Sequence, residues 1–412
     1  MKKISSWGNL EKVLLNSSDN LSSSILSIGN LNSYGDACIP TENSFYDVKN
    51  TNKEFLSPKI TMRDLINSGH FIHGIPGKSN VTLGGAVASD VHGKDSSWGG
   101  SFINNVEELE LIIANGETIK CNNKLNSEIF FATIGGYGLT GVITGIKLKS
   151  TKNKFYNKYK TNIQKGVSLD SLFNLFSNEQ DEYSVAWVDL LSKEKKWILE
   201  ISKPTCNTKK QKIHVKNQLI DELKIALPFI GENRFGLMNL INSIFYMTKK
   251  NNFSINKDIG DVLFPLGIIS NTKNLSKKRK IIQIQFSIPQ SNENKITELI
   301  ELLIDGQNPL LCSVKKIDNK FAVNNLSFVQ KGWTFAVDFS YDKFNHALIR
   351  KFYKELIELG GKVYLAKDST LNQEEFKEMY PNFRNWEQIV KSVDPENIFQ
   401  SKMSNRLGIK SE

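Results

Sequence analysis

Pro76–Lys94 reads PGKSNVTLGGAVASDVHGK, and how this stretch folds decides what the rest of the chain is for. Small residues at Gly77, Gly84, Gly85, Ala86, Ala88 and Ser89 let backbone approach a flat or phosphorylated ligand, because no side chain intervenes. His92 and Lys94 then place two titratable groups beside that surface. A glycine-rich bend on its own is most often only a turn. The reading therefore depends on its companions along the chain.

The nearest companion is Gly136-Tyr-Gly138-Leu-Thr-Gly141, which fits GxGxxG. A dinucleotide fingerprint of that form needs a strand before the glycines and a helix after them. Here the order is reversed. Ser127–Thr133 reads as a short helix, and the β-branched run after Gly141 reads as a strand. A nicotinamide Rossmann fold is not expected. The cluster either wraps another extended cofactor or makes a sharp helix-to-strand turn.

Composition narrows the class. At 412 residues the chain exceeds one ordinary core, so two domains are expected. The start, MKKISSWGNLEK, has basic residues without an apolar segment behind them, so no secretory signal is expected. The most apolar tract, Leu223–Met247, is broken by Lys224, Glu232, Asn233 and Arg234 and is too interrupted for a membrane span. A soluble cytoplasmic protein, or one peripheral to a membrane, follows. Cys38, Cys121, Cys206 and Cys312 lie far apart without CxxC spacing, and the five histidines form no HExxH. Neither a disulfide framework nor a metal site is expected. The net charge of +10 is carried mostly by lysine, with runs at 209–212 and 277–280. Such runs attract phosphate or simply solvate a face. No aromatics interleave with them, so nucleic acid is set aside.

The first 150 residues are rich in glycine and β-branched residues, with strands expected at Glu108–Gly116 and Gly141–Lys149. From about Thr151 helical patterns at Ser168–Phe176, Asn294–Leu303 and Ala347–Leu359 alternate with strands. Those strands are expected at Tyr183–Leu190, Trp197–Ile201, Lys280–Ile288, Trp333–Phe339 and Lys362–Ala366. This is the texture of an α+β unit on a mostly antiparallel sheet. Gln373–Leu407 reads as helical, interrupted at Tyr380-Pro381 and Asp394-Pro395.

Four blocks now stand in order: SIGNLNSYGDA (Ser27–Ala37), the Pro76–Lys94 stretch, IGGYGLTGVI (Ile134–Ile143), and Tyr364–Leu407, which opens YLAKDS and ends NIFQSKMSNRL. Together they resemble the FAD-binding oxidoreductases of the vanillyl-alcohol oxidase / p-cresol methylhydroxylase type, over nearly the whole chain. Within that superfamily they look closest to the flavoprotein oxidase subunits of decaprenylphosphoryl-ribose epimerases. The resemblance implies an α+β, two-domain FAD-binding fold. An FAD domain would take residues 1–150, with its N-terminal part trimmed, and 361–412 would return to it. An α+β substrate domain over an antiparallel sheet would be inserted at 151–360.

Carried over by motif, Ser33, Tyr34, Gly35 and Asp36 would form the first cofactor loop. Gly77, Thr82, Leu83, Gly84, Gly85, Ser89, Asp90, Val91 and His92 would line the pyrophosphate and flavin of a noncovalent FAD. Ile143 would meet the adenine end and Tyr364 the flavin side. Lys367, Gln285 and Lys315 match substrate positions, and His92, Gly93 and Lys94 would close the other wall. Alcohol oxidation by a flavin moves a hydride to the ring while a base takes the hydroxyl proton, so nearby cations and one base are needed. Lys367 and His92 are the rival catalytic groups. Without the resemblance, Lys367 reads as a surface lysine, His92 as a structural histidine, and Lys315 and Gln285 as strand residues.

Three departures from the pattern stand out. The expected Gly-x-Gly-Arg-Ser-Tyr-Gly-Asp is Gly29-Asn30-Leu31-Asn32-Ser33-Tyr34-Gly35-Asp36, without its second glycine and its arginine. The sequence between Gly35 and Pro76 is short, and Gly-Lys-Asn-His-His is Gly93-Lys94-Asp95-Ser96-Ser97. Ala336 stands where some relatives carry a pocket cysteine. The function implied is oxidation of a secondary hydroxyl on a polyprenyl-phosphorylated sugar to a keto sugar. A separate short-chain NAD(P)-dependent reductase would complete an epimerisation for cell-envelope glycan. The alternatives are oxidation of a soluble sugar, alditol or aldonolactone, and a binding protein with a decayed flavin site.

Overall fold

A computed structural model of the chain describes residues 2–409, apart from 11, 19–20, 22–23, 43, 50–51, 152–155, 177–178, 180–181, 206–236, 265–279 and 319–323. The first basic run, most of the second, Cys206 and the first half of the Leu223–Met247 tract lie outside the described residues. The described strands form three sheets. β1 (Lys2–Ser5), β2 (Lys12–Ser18) and β3 (Ser44–Tyr46) make a small N-terminal one. β4 (Val106–Ile112), β5 (Thr118–Asn122) and β6 (Val142–Leu148) make a second, in the order β5-β4-β6. The third is the largest. It contains β7 (Lys158–Gly166), β8 (Tyr183–Asp189), β9 (Lys196–Pro204), β10 (Phe253–Asp258), β11 (Ile281–Pro289), β12 (Pro309–Ile317), β13 (Gly332–Ser340) and β14 (Lys362–Val363). These run antiparallel in the order β10-β7-β9-β8-β12-β13-β11-β14.

The central strands of the large sheet alternate sharply. In β11 the residues Ile282, Ile284, Phe286 and Ile288 point one way, and in β13 Phe335, Val337 and Phe339 join them in one apolar cluster. The helices Ile296–Ile304 and His346–Glu358 bury their apolar stripes in the same cluster through Leu299, Ile300, Leu303, Ile349, Phe352 and Leu356. Phe286 stacks on Phe335 at 5.3 Å between ring centroids. Because side chains alternate along a strand, the opposite face takes every second residue. That face carries Gln283, Gln285 and Ser287 from β11, Thr334, Ala336 and Asp338 from β13, and Lys315 from β12. Gln283, Gln285, Ser287, Thr334 and Asp338 are all buried. A buried polar face is costly unless something meets it.

The Pro76–Lys94 stretch forms a short helix, Leu83–Ala88, capped by the Thr82 hydroxyl, which accepts the Gly85 N–H at 3.2 Å. Loss of that cap in Thr82→Ala is expected to cost about 1 kcal/mol, read as a lower urea midpoint with an unchanged slope. The second glycine cluster wraps the end of this helix: Gly135 and Tyr137 donate their N–H groups to Val87 and Ala88. The wrap needs left-handed backbone, with φ +74° at Gly135, +56° at Tyr137 and +78° at Gly138. A helix (Ser127–Thr133) precedes it and β6 follows, so the reversed order read from the sequence holds.

The last segment packs back on the N-terminal third. Phe399 bridges Ile25, Ser401 bridges Pro40, and the Trp386 indole donates to the Ala132 carbonyl at 2.9 Å. Helices Gln373–Met379 and Phe383–Val393 stop at Tyr380 and Asp394, where proline follows. One expected strand is shorter than read: Lys362–Ala366 pairs only at Lys362–Val363. Beyond it the Tyr364 carbonyl accepts from the Lys367 and Asp368 N–H groups, turning the chain out of the sheet.

Candidate active site

That turn positions Lys367. The Tyr364 N–H donates to the Gln285 carbonyl at 2.8 Å, fastening the turn to the edge of β11. Asp368, fully buried, accepts from the Thr370 and Leu371 N–H groups at 2.8 and 3.0 Å and holds the far side. Lys367 is thereby aimed along the polar face of the sheet, with its ammonium 4.2 Å from the centroid of the Tyr34 ring. Burial pushes its pKa down to about 8, against the opposing pull of Asp338.

His92 reaches the same face from the other side. Its Nε2 lies 2.9 Å from Gln285 Nε2 and its Nδ1 3.3 Å from Lys315 Nζ. The rings of Phe328 and Tyr364 each lie 5.4 Å from the imidazole. Burial, then the charges of Lys315 and Lys367, hold its pKa well below the ordinary value, so the ring is neutral at pH 7. The tautomer is tied to its neighbours. When the Lys315 ammonium donates to Nδ1, the ring proton sits on Nε2 and Gln285 must present its amide oxygen. Lys315 is itself lowered to about 8 by burial, with Asp95 opposing and Lys367 adding to the effect.

The sequence-derived residues divide by location. Lys367, Gln285, His92, Lys315 and Tyr364 come together. The Tyr364 hydroxyl is used by the Ser89 carbonyl at 2.8 Å, so only its ring faces His92. Lys94 points away toward the Val262 carbonyl at 2.5 Å and the Glu200–Lys257 pair, and burial brings it down to about 7. The Asp90 carboxylate is occupied by Ser101, the Ile103 N–H and Asn324, and burial raises it to about 6. Asp36 is clasped by Arg406 through two contacts of 2.8 and 2.9 Å. Leu83, Val91 and Ile143 are buried apolar residues of the wall. Ser33 accepts the Trp7 N–H, and Gly35 lies so close to the Asp368 carbonyl that a Cβ there would clash. A Cβ at Gly84 would strike Pro58, whereas at Gly85 it would meet only the Thr82 hydroxyl. Gly77 starts the loop that leads to Thr82.

Four functional neighbours were not read from the sequence: Gln283, Asp338, Trp7 and Lys78. Gln283 donates to Asp338 at 2.5 Å, and that carboxyl is raised to about 6 by burial, with Lys367 and Lys78 pulling it back. The signal for Gln283 and Asp338 was present, since both fall on the polar rhythm of QIQFS and TFAVDF.

The fit of this surface to a large polar cofactor can be tested on its own atoms. Asn32 Oδ1, Asn80 Oδ1 and Ser369 Oγ are buried without a hydrogen-bond partner. The Asn32 amide donates to the Asn80 carbonyl, and Ser369 adjoins Gly35, so all three border the first loop. Each orphan costs about 1–3 kcal/mol; hydroxyl or N–H groups of a ligand would relieve the two amide oxygens, and the Ser369 hydroxyl can donate to a phosphate or carbonyl oxygen. Among the described residues no His/Cys/Asp/Glu cluster could hold a metal, and no helix is long and apolar enough to cross a membrane.

Comparison with known proteins agrees with this chemistry. The family model for D-arabinono-1,4-lactone oxidase matches residues 334–407. Decaprenylphosphoryl-beta-D-ribose oxidase of Mycolicibacterium smegmatis is 30% identical over 364 residues, covering 84% of this chain and 78% of that protein. An uncharacterized Streptomyces coelicolor protein from the mprA 5′ region is 23% identical over 367 residues, 83% of this chain and 96% of that one. Cytokinin dehydrogenase 1 of Arabidopsis thaliana is 34% identical over 116 residues, 28% of this chain and 18% of that enzyme.

Proposed function

This chain belongs to the FAD-binding oxidoreductase family that includes decaprenylphosphoryl-β-D-ribose oxidase, and from that membership we propose that it oxidises a secondary hydroxyl of a phosphorylated, lipid-linked sugar. It is an FAD-dependent oxidoreductase. The observation that carries the substrate reading is the surplus of buried cations. Burial lowers both Lys315 and Lys367, and the Lys367 charge lowers Lys315 further beside a neutral histidine, which suits an anionic sugar and not a neutral alditol.

Bound FAD supplies the hydride acceptor. Lys367 removes the hydroxyl proton, and its lowered pKa leaves a usable neutral fraction near pH 8. His92, with both ring nitrogens engaged, orients Gln285 and Lys315 toward the sugar. The cofactor is held without a covalent bond. That reading is supported by the same engagement of His92 and by burial, which raises the thiols of Cys38 and Cys121 to about 12 and Cys312 higher still. Residues 1–150 and 361–412 form the FAD domain and 151–360 the substrate domain, except that β14 (Lys362–Val363) adds to the edge of the large sheet through β11, and the two meet at the His92–Gln285 contact. The keto sugar leaves for a short-chain reductase that completes an epimerisation, and the lipid tail lies against a membrane surface.

The test is anaerobic mixing of the yellow protein with candidate sugars. A polyprenyl-phosphate pentose is expected to bleach the flavin band while free pentoses and alditols leave it intact. Equal bleaching by a free alditol or aldonolactone would sink the lipid-phosphate reading.

A further inference from the structure

We propose that Asp338 is a positioning residue that acts through Lys367, as the fixed counter-charge of its ammonium. Its use in catalysis rests on the function proposed above. Asp338 sits on the polar face of β13, opposite Gln283 of β11, and is 9% exposed. Its carboxylate accepts from Gln283 Nε2 at 2.5 Å, so the neighbouring strand fixes it in place. Two residues along β11, the Gln285 carbonyl fastens the Tyr364 turn that delivers Lys367. Acid and amine are therefore carried by adjacent points of one strand pair. Tyr34 meets both of them. Its ring centroid lies 4.2 Å from the Lys367 ammonium, and its hydroxyl feels Gln283 and Asp338.

The two groups are close enough to interact and too far apart to bond. Among the described residues Lys367 Nζ has no hydrogen-bond acceptor and forms no ion pair. Asp338 nevertheless favours the protonated amine, and Lys367 the ionised carboxyl. That separation suits a base. A carboxylate in contact would hold the amine protonated, and none at all would strand the ammonium in a buried site. When the substrate hydroxyl is oxidised, its carbon gives a hydride to the flavin and its O–H proton passes to the Nζ lone pair. The positive charge appears only as the reaction proceeds, so a carboxylate already in place favours that state over the starting one. The other groups facing the pair are Lys78, Lys315, His92, Tyr34 and Cys312. Asp368, next in the chain, is taken up by Arg406. Burial keeps His92 neutral and Tyr34 and Cys312 protonated. Lys315 also titrates at about 8, but the acid acting on it is Asp95.

The test uses the FAD-loaded enzyme with its lysines carbon-13 labelled at Cε and followed by NMR across pH. The Lys367 signal is the one missing from Lys367→Met. Its midpoint is expected at about 8 and should fall by about one pH unit or more in Asp338→Asn, a loss of about tenfold in proton affinity. Asparagine still accepts from Gln283, so the strand pair is kept. Asp338→Glu keeps the charge and should stay within about half a unit of wild type. The Lys315 midpoint, identified from Lys315→Met, should move by less. In anaerobic flavin reduction by a polyprenyl-phosphate pentose, Asp338→Asn should lower the limiting rate several-fold at unchanged substrate affinity, with the inflection following the NMR midpoint. Should Asp338→Asn not fold, Asp338→Ser is read in the same way. A Lys367 midpoint that stays in place without the carboxylate, or that moves as far in Asp338→Glu, overturns the proposal. A shifted midpoint with no matching inflection in the rate upholds the counter-charge and defeats Lys367 as the base.

Discussion

Lys367→Met slows anaerobic flavin reduction by about 10²- to 10⁴-fold while the protein stays yellow, the range expected for loss of a positioned base. The flavin stays because Lys367 is fastened through backbone, by the Tyr364 turn and the Asp368 anchor, so the substitution leaves the loop contacts in place. The pH profile separates the rival catalytic groups. At low substrate concentration the rate reports the free enzyme. With Lys367 at about 8, the neutral, proton-accepting form grows as pH rises, so the rate climbs between pH 6 and 8 and levels off above. A fixed cation would give the opposite slope, with activity lost above pH 8. His92 is already neutral across this range, so it contributes no inflection there. An inflection near 8 that survives in Lys367→Met would remove the assignment of Lys367 as the base.

How much of this was legible follows from where the information lies. The second glycine cluster is local, and its helix-before, strand-after order transferred to the fold because backbone geometry decides it, whereas the turn at Tyr364–Asp368 was hidden inside the expected strand Lys362–Ala366. Gly135–Gly138 needs left-handed backbone, which the sequence advertises as glycine. The polar face of β11 and β13 was legible as well, since Gln283 and Asp338 follow the same period as Gln285 and Thr334. It went unread because period-2 polarity in a strand ordinarily means exposure to water, and only the packing shows these residues buried. Lys78 and Trp7 could not be read at all. Their meeting joins the N-terminal strap, where the Trp7 N–H donates to Ser33, to a loop seventy residues later. The role of Lys94 was misleading for a related reason. Its place next to His-Gly suggests one wall, but the following turn sends its ammonium to Val262.

Arg406 ties the C-terminal segment to the first loop, and its removal should have the largest effect on stability. Arg406→Met is expected to cost about 3–5 kcal/mol and to strip the flavin during gel filtration, because it leaves two buried carboxylates uncompensated. Asp36 in the first loop and Asp368 in the AKDS turn both pair with this guanidinium, at 2.8 and 2.9 Å to Nη2, and Nη1 donates to the Leu371 carbonyl at 2.6 Å. The two carboxylates hold the guanidinium protonated and are themselves 8% and 0% exposed. Without the arginine they repel each other across the contact where Gly35 abuts the Asp368 carbonyl. The first loop then separates from the turn that carries Lys367, so cofactor grip and catalytic geometry fail together. Adding Asp36→Asn to Arg406→Met removes one of the stranded charges and should return part of the lost stability, a non-additivity readable by urea denaturation. A single variant that keeps its flavin and its urea midpoint would show that the first loop is held by something other than this latch.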